Sequence, residues 1–136
     1  MLETMIRQIC SVVVLVEDKW TEINRYVNDL LSEDATILQG DEFVQLLFEN
    51  DSFSRSRKYF WILACLKDFE NVIEHAENYW REFKESYLHP YKESISNIGR
   101  DVEEIDASIA SLKRIRMGFG ATREEVKMLR DGVSLS

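Results

Sequence analysis

Proline and glycine are scarce in this chain. The 136 residues include one proline and five glycines. Because these two residue types interrupt helices most strongly, their scarcity favours long continuous helices over a turn-rich β fold. Hydrophobic residues make up 45% and charged residues 31% of the chain, ordinary values for a globular protein. At this length we expect one domain, residues 1–136, of the all-α class.

Motifs that carry enzyme chemistry are also missing. The sequence has no phosphate-binding loop, no dinucleotide-binding fingerprint and no zinc-binding signature. Neither His75 nor His89 has a sequence-local nucleophile or carboxylate pattern that indicates a catalytic pair. The sequence therefore predicts a protein that is not an enzyme and holds no cofactor.

Cysteine is limited to Cys10 and Cys65, which form no CxxC motif. Each lies beside an apolar helix seam, so we expect two buried free thiols. Two free cysteines without a disulfide pattern fit a reducing compartment and predict a cytoplasmic location. The apolar stretch 9–16 continues in helical phase to Trp20, which argues against a signal peptide.

Long apolar runs are absent. The longest, 59–66, has eight residues, whereas a membrane-spanning helix needs roughly 20. The net charge of −8 would repel phosphate groups, so general binding to nucleic acid is not expected.

A repeated helical pattern is present instead. Apolar residues alternate at spacings of three and four, which is typical of helices with one apolar seam. The central seam is Tyr59, Ile62, Leu66, Phe69, Ile73, Ala76, Trp80, Phe83 and Tyr87. A second row beside it consists of Trp61, Cys65, Val72 and Tyr79. So wide an apolar face predicts that more than one neighbouring helix covers it.

Three such seams in succession predict an elongated antiparallel three-helix coiled-coil bundle. The long helices are expected at about 2–31, 54–89 and 91–117, with a break or sharp kink at Pro90. A short capping helix is expected at 42–49. The third seam slips phase after Leu112, close to Gly118 and Gly120, so we expect an interruption at 117–121 and a separate short C-terminal helix at 122–130.

Acidic residues flank the third seam. Asp101 and Glu104 are weak candidates for binding Mg²⁺ through carboxylate oxygens. The alternative interpretation is a solvated helix face.

Basic residues occur at two helix ends that would meet in an antiparallel bundle. They predict a basic pole on an acidic molecule, formed by Arg55, Arg57, Lys58, Lys113, Arg114 and Arg116. The alternative is that acidic residues of the connection neutralise them, namely Glu33, Asp34, Asp41, Glu42 and Asp51.

The stretch 51–61, DSFSRSRKYFW, together with Trp80, resembles the cytosolic helical region of fungal CorA-like magnesium-transporter proteins. The stretch 123–132 is similar to the segment that leads into their first membrane helix. The resemblance implies a cytosolic stalk or regulatory domain that oligomerises and senses divalent cations. The Gly-Met-Asn signature of the pore is absent from this sequence, so these residues are not expected to conduct ions.

A second hypothesis is a stand-alone helical module that binds a protein partner through an exposed apolar groove. Both hypotheses predict self-association or a protein partner. The transporter-like hypothesis adds proximity to the cytosolic face of a membrane, through the basic pole.

Overall fold

The computed structural model describes residues 2–38, 51–89 and 99–135, with side chains over 2–32, 55–89 and 99–132. Three α-helices account for most of these ranges: α1 is Leu2–Leu38, α2 is Asp51–Phe83 and α3 is Gly99–Leu135. No strand occurs in them, which confirms the all-α class. The predicted capping helix at 42–49, Pro90 and the predicted start of the third helix lie outside the described residues.

α1 extends beyond its predicted end. It continues to Leu38 rather than stopping near Leu31, so Ser32 lies inside the helix. Serine and the acidic residues that follow it lower helix propensity only slightly, whereas glycine and proline break helices. The first glycine after Ser32 is Gly40, beyond the end of α1.

α3 crosses residues 117–121 without a break, so the predicted interruption and the separate helix at 122–130 are wrong. A seam that passes through Ile109, Leu112 and Ile115 has two successive steps of three. Ser108 is the more deeply buried position, at 5% exposure, and Ile109 is partly buried against the core of unit 1. The buried positions of α3 are Ile105, Ser108, Leu112, Phe119, Thr122 and Val126. With Ser108 in the seam, the alternation of three and four is regular across both glycines.

A π-helical segment, Lys84–Leu88, follows α2. The His89 backbone N–H donates to the carbonyl of Lys84, five residues earlier, as a π-helix requires. This wider turn holds one extra residue and shifts the phase of the seam. Tyr87, predicted to be in the seam, is therefore 58% exposed, whereas Leu88 packs against the core.

The chain divides into two compact units. Unit 1 comprises Met1–Glu22 and Asn71–Arg116. Its core contains Ile6, Cys10, Trp80 and Ile105. The Trp80 indole Nε1 donates a 2.7 Å hydrogen bond to the Asp106 carboxylate, and the Lys84 ammonium bonds the same oxygen at 2.9 Å. The first bond satisfies the indole N–H next to the apolar core, and the second neutralises the carboxylate that accepts it.

Unit 2 comprises Ile23–Glu70 and Met117–Ser136. Its buried apolar residues are Leu31, Tyr59, Ile62, Leu66, Phe119 and Val126. The Phe69 and Phe119 rings pack with centroids 5.6 Å apart. The Arg123 Nη1 lies 3.5 Å from Oε2 of Glu70, a pair that links α2 and α3 within this unit.

Candidate functional site

The part of the second row that belongs to unit 1 is exposed. Val72 and Tyr79 are 54% and 68% exposed. The His75 ring stacks on Tyr79, with centroids 6.2 Å apart and 26° between the ring planes. Because these residues are three and four positions apart, they lie on one side of α2. They form an apolar and aromatic surface open to solvent.

The part of the second row that belongs to unit 2 begins at Trp61, which is 65% exposed. Cys65, one helical turn later, is half-buried. Burial raises the pKa of the Cys65 thiol, and the negative charge of Asp68 raises that pKa further. The thiol is therefore protonated at neutral pH and acts as a small apolar side chain.

The second row departs from its expected burial. The apolar pattern predicts that neighbouring helices cover this face, yet Trp61, Val72 and Tyr79 are each more than half exposed. Large apolar side chains lined up on one helix face are typical of surfaces that bind another protein. The exposed second-row residues are therefore a candidate binding surface in each unit, Val72 and Tyr79 in unit 1 and Trp61 in unit 2.

The predicted acidic candidates lie in unit 1, next to Cys10, which the sequence predicts to be a buried free thiol. Asp101 is half-buried and Glu104 is exposed. The Cys10 thiol of α1 is 7% exposed, and ligand atoms of all three residues lie within 4.8 Å of one another. Burial raises the pKa of the Cys10 thiol, as do its hydrogen bond to Glu104 and the charges of both carboxylates. No spacing within one helix could have revealed this group, because it joins α1 and α3.

The predicted basic residues are divided between the units. Arg55, Arg57 and Lys58 belong to unit 2, whereas Lys113, Arg114 and Arg116 belong to unit 1. The clustering of the six at one pole remains a prediction, and the acidic residues of its alternative interpretation lie beyond the described side chains.

Arg116 has a partner inside unit 1. Its Nε donates to Glu77 Oε2 at 2.6 Å, and its Nη2 lies 3.4 Å from the other oxygen. The Glu77 side chain is 9% exposed and that of Arg116 is 27% exposed. Arg116 is thus part of a largely buried ion pair, which limits its availability to an external anion.

Unit 2 also contains an open cavity of about 490 Å³. It is lined by Asn28, Leu31, Ser32, Glu125, Met128 and Leu129. Glu125 is the one ionisable side chain in this lining, so the cavity offers no pair of groups for acid–base chemistry.

None of the described helices is long and apolar enough to cross a membrane. No family model matches the chain, and neither do curated proteins or solved structures.

Proposed function

We propose that the chain is a non-catalytic helical scaffold that forms a dimer with a second copy of itself through the second row of α2. The observation that carries this proposal is the exposure of Trp61, Val72 and Tyr79, at 65%, 54% and 68%. Tryptophan and tyrosine are the residues that most often supply binding energy at interfaces. Covering them with another apolar surface removes that area from water, which favours association.

The spacing of the second row suits self-pairing. With the intervening Asp68 and His75, its six positions are separated by 4, 3, 4, 3 and 4 residues, a series that reads the same in both directions. Two antiparallel copies of α2 would therefore place Trp61 of one copy opposite Tyr79 of the other, twice by symmetry. Each such aromatic pair contributes about 0.5–1.5 kcal/mol beyond its buried area.

The charge pattern tolerates this pairing. In the same register Asp68 lies opposite Val72 of the second copy rather than opposite its own equivalent. The net charge of −8 still opposes association of two copies. Because salt screens this repulsion, we expect the dimer to become tighter as ionic strength rises.

Contacts within unit 1 support the antiparallel arrangement that we propose for α2 and α3. Trp80, late in α2, contacts Asp106, early in α3. Glu77, earlier in α2, contacts Arg116, later in α3. Contact positions that move in opposite directions along the two helices are expected of an antiparallel pair.

The stalk function implied by the CorA-like resemblance is compatible with this proposal. A transporter-type cytosolic domain would also oligomerise, and the second row would be the contact surface. Self-association therefore serves both functions considered from the sequence.

The test is light scattering coupled to size-exclusion chromatography over a range of protein concentrations. The double variant Trp61→Ser/Tyr79→Ser removes both aromatic ends of the second row. The matched control is Phe60→Ser/Tyr26→Ser, because Phe60 and Tyr26 are 69% and 67% exposed but lie outside the row. Exposed substitutions of this kind change folding stability by about 0.5 kcal/mol or less.

We expect a dimer for the unmodified chain and for the control, and a monomer for the second-row variant. Loss of two buried aromatic contacts should weaken the dimer at least about 100-fold, at roughly 1.4 kcal/mol per tenfold. A monomer at high micromolar concentration and high salt would contradict the proposal. Dissociation of the control alone would show that a different surface is used.

A further inference from the structure

A group of three metal-ligating side chains lies within unit 1. Asp101 and Glu104 are three residues apart on α3, so both project from one face of that helix. Cys10 contributes from α1 and is more than nine-tenths buried. Its sulfur therefore faces both carboxylates from the core side, with all three ligand atoms within 4.8 Å of one another.

Within the part of the chain whose side chains are described, the two carboxylates of this group have no ion-pair partner. By comparison, Glu77 pairs with Arg116, and Asp106 pairs with Lys84. Clustered carboxylates repel each other, and a dication between them would remove that repulsion.

We propose that Cys10, Asp101 and Glu104 bind a thiophilic divalent metal ion, with Zn²⁺ strongly preferred over Mg²⁺. The sulfur decides the preference: thiolate selects zinc, whereas Mg²⁺ requires octahedral oxygen ligands. On binding, the thiol S–H bond breaks, the proton passes to the buffer and the sulfur electron pair forms the bond to the metal. Three protein ligands leave the fourth tetrahedral position to water.

The site needs only small movements to close around the ion. Bonds of about 2.0–2.3 Å to a tetrahedral ion place ligand atoms roughly 3–4 Å apart. The exposed Glu104 already hydrogen-bonds the Cys10 thiol, and Asp101 is half-buried, so short side-chain rotations are enough to bring both carboxylates to the sulfur. This interpretation differs from the Mg²⁺ site predicted on the sequence, which lacked the thiol.

The experiment is a titration of the full chain with Co²⁺, a spectroscopic substitute for Zn²⁺. We expect one equivalent of Co²⁺ to produce thiolate-to-cobalt charge-transfer absorption in the near ultraviolet, and Zn²⁺, but not Mg²⁺, to abolish it. Cys10→Ser should lose this absorption, whereas the matched control Cys65→Ser should keep it. Asp101→Asn and Glu104→Gln should each weaken binding by at least about tenfold, the loss typical even of residues that only support a ligand.

Circular dichroism checks that each variant is folded. If Cys10→Ser does not fold, Asp101→Asn and Glu104→Gln decide, because they alter a half-buried and an exposed side chain. Zn²⁺ should also raise the unfolding temperature of the unmodified chain by more than it raises that of Asp101→Asn. The proposal is overturned if the unmodified chain gives no charge-transfer absorption or if Cys65→Ser abolishes that absorption. It is also overturned if Mg²⁺ displaces Co²⁺ as effectively as Zn²⁺ does.

Discussion

Two glycines of α3 have different surroundings. A Cβ at Gly118 would have no atom within 4 Å, whereas one at Gly120 would lie 3.1 Å from Oε1 of Glu70. Gly120 therefore allows the Glu70 carboxylate of α2 to approach the α3 backbone, near Arg123. Gly118 has no such packing role.

This difference predicts opposite outcomes for the same substitution. Gly118→Ala should raise the free energy of unfolding by about 1 kcal/mol, the difference in helix propensity between glycine and alanine. Gly120→Ala should give no gain or a net loss, because the methyl group displaces Glu70. Urea denaturation of both variants measures the two values. The combination Gly120→Ala/Glu70→Ala should recover part of the stability expected from replacing glycine with alanine. Equal increases in the free energy of unfolding for Gly118→Ala and Gly120→Ala would contradict this prediction.

At the scale of elements, two ion pairs of different burial join α3 to α2 and to the π-helical segment that follows α2, both within unit 1. Glu77 and Arg116 form a largely buried pair at 2.6 Å. Lys84, in the π-helical segment, pairs with Asp106 at 2.9 Å, and both of these side chains are more than a third exposed. When one member of a buried pair is removed, water cannot solvate the charge that remains. Mutation should therefore lower the free energy of unfolding more for the buried pair than for the exposed one.

We expect Arg116→Met to lower the free energy of unfolding by about 2–3 kcal/mol, because it leaves the Glu77 carboxylate without its cation in a buried position. Lys84→Met is the comparison and should cost less than about 1 kcal/mol. Chemical denaturation measures both. Adding Glu77→Leu to Arg116→Met should restore stability, and failure to do so would show that the loss arises from packing rather than charge.

The sequence predicted the apolar members of the seams well and the polar members poorly. Ile62, Leu66 and Ile73 follow the spacing of three and four, and all are buried. Ser108 and Glu77 are buried too, but a search for apolar residues passes over them. Glu77 is tolerated there because Arg116 neutralises it, a condition that depends on a second helix.

The two candidate sites also differ in how far the sequence predicts them. The second row could be identified from the sequence because its residues lie on one helix, although the sequence did not predict that they are exposed. The Cys10 group was not visible, since the separation of its sulfur from Asp101 depends on how α1 packs beside α3. Pairwise distances between helices are set by tertiary packing and leave no periodic signal in the chain.

For the whole molecule, the predicted basic pole remains a hypothesis about membrane proximity. Lys113 and Arg114 are exposed, and each basic residue near an anionic leaflet contributes roughly 1 kcal/mol. We expect the chain to co-sediment with anionic vesicles at low salt and to be released at physiological salt. Lys113→Glu/Arg114→Glu should reduce this binding at least about tenfold.

The matched control for charge is Lys67→Glu/Arg81→Glu, which changes the net charge equally at two exposed positions outside the predicted pole. Equal loss in both double variants would mean that only net charge matters. Negligible binding to anionic and neutral vesicles alike would remove the membrane-facing interpretation and leave the scaffold function.

The π-helical segment Lys84–Leu88 makes the chain unequally tolerant of changes in its length. It already holds one residue more than an α-helical turn requires. A one-residue deletion there would close the wide turn into an α-turn. The same deletion between Val72 and Tyr79 would rotate the residues that follow by about 100° and move the two apart on the helix face. One-residue deletions should therefore be accepted at 84–88 and rejected within the second row.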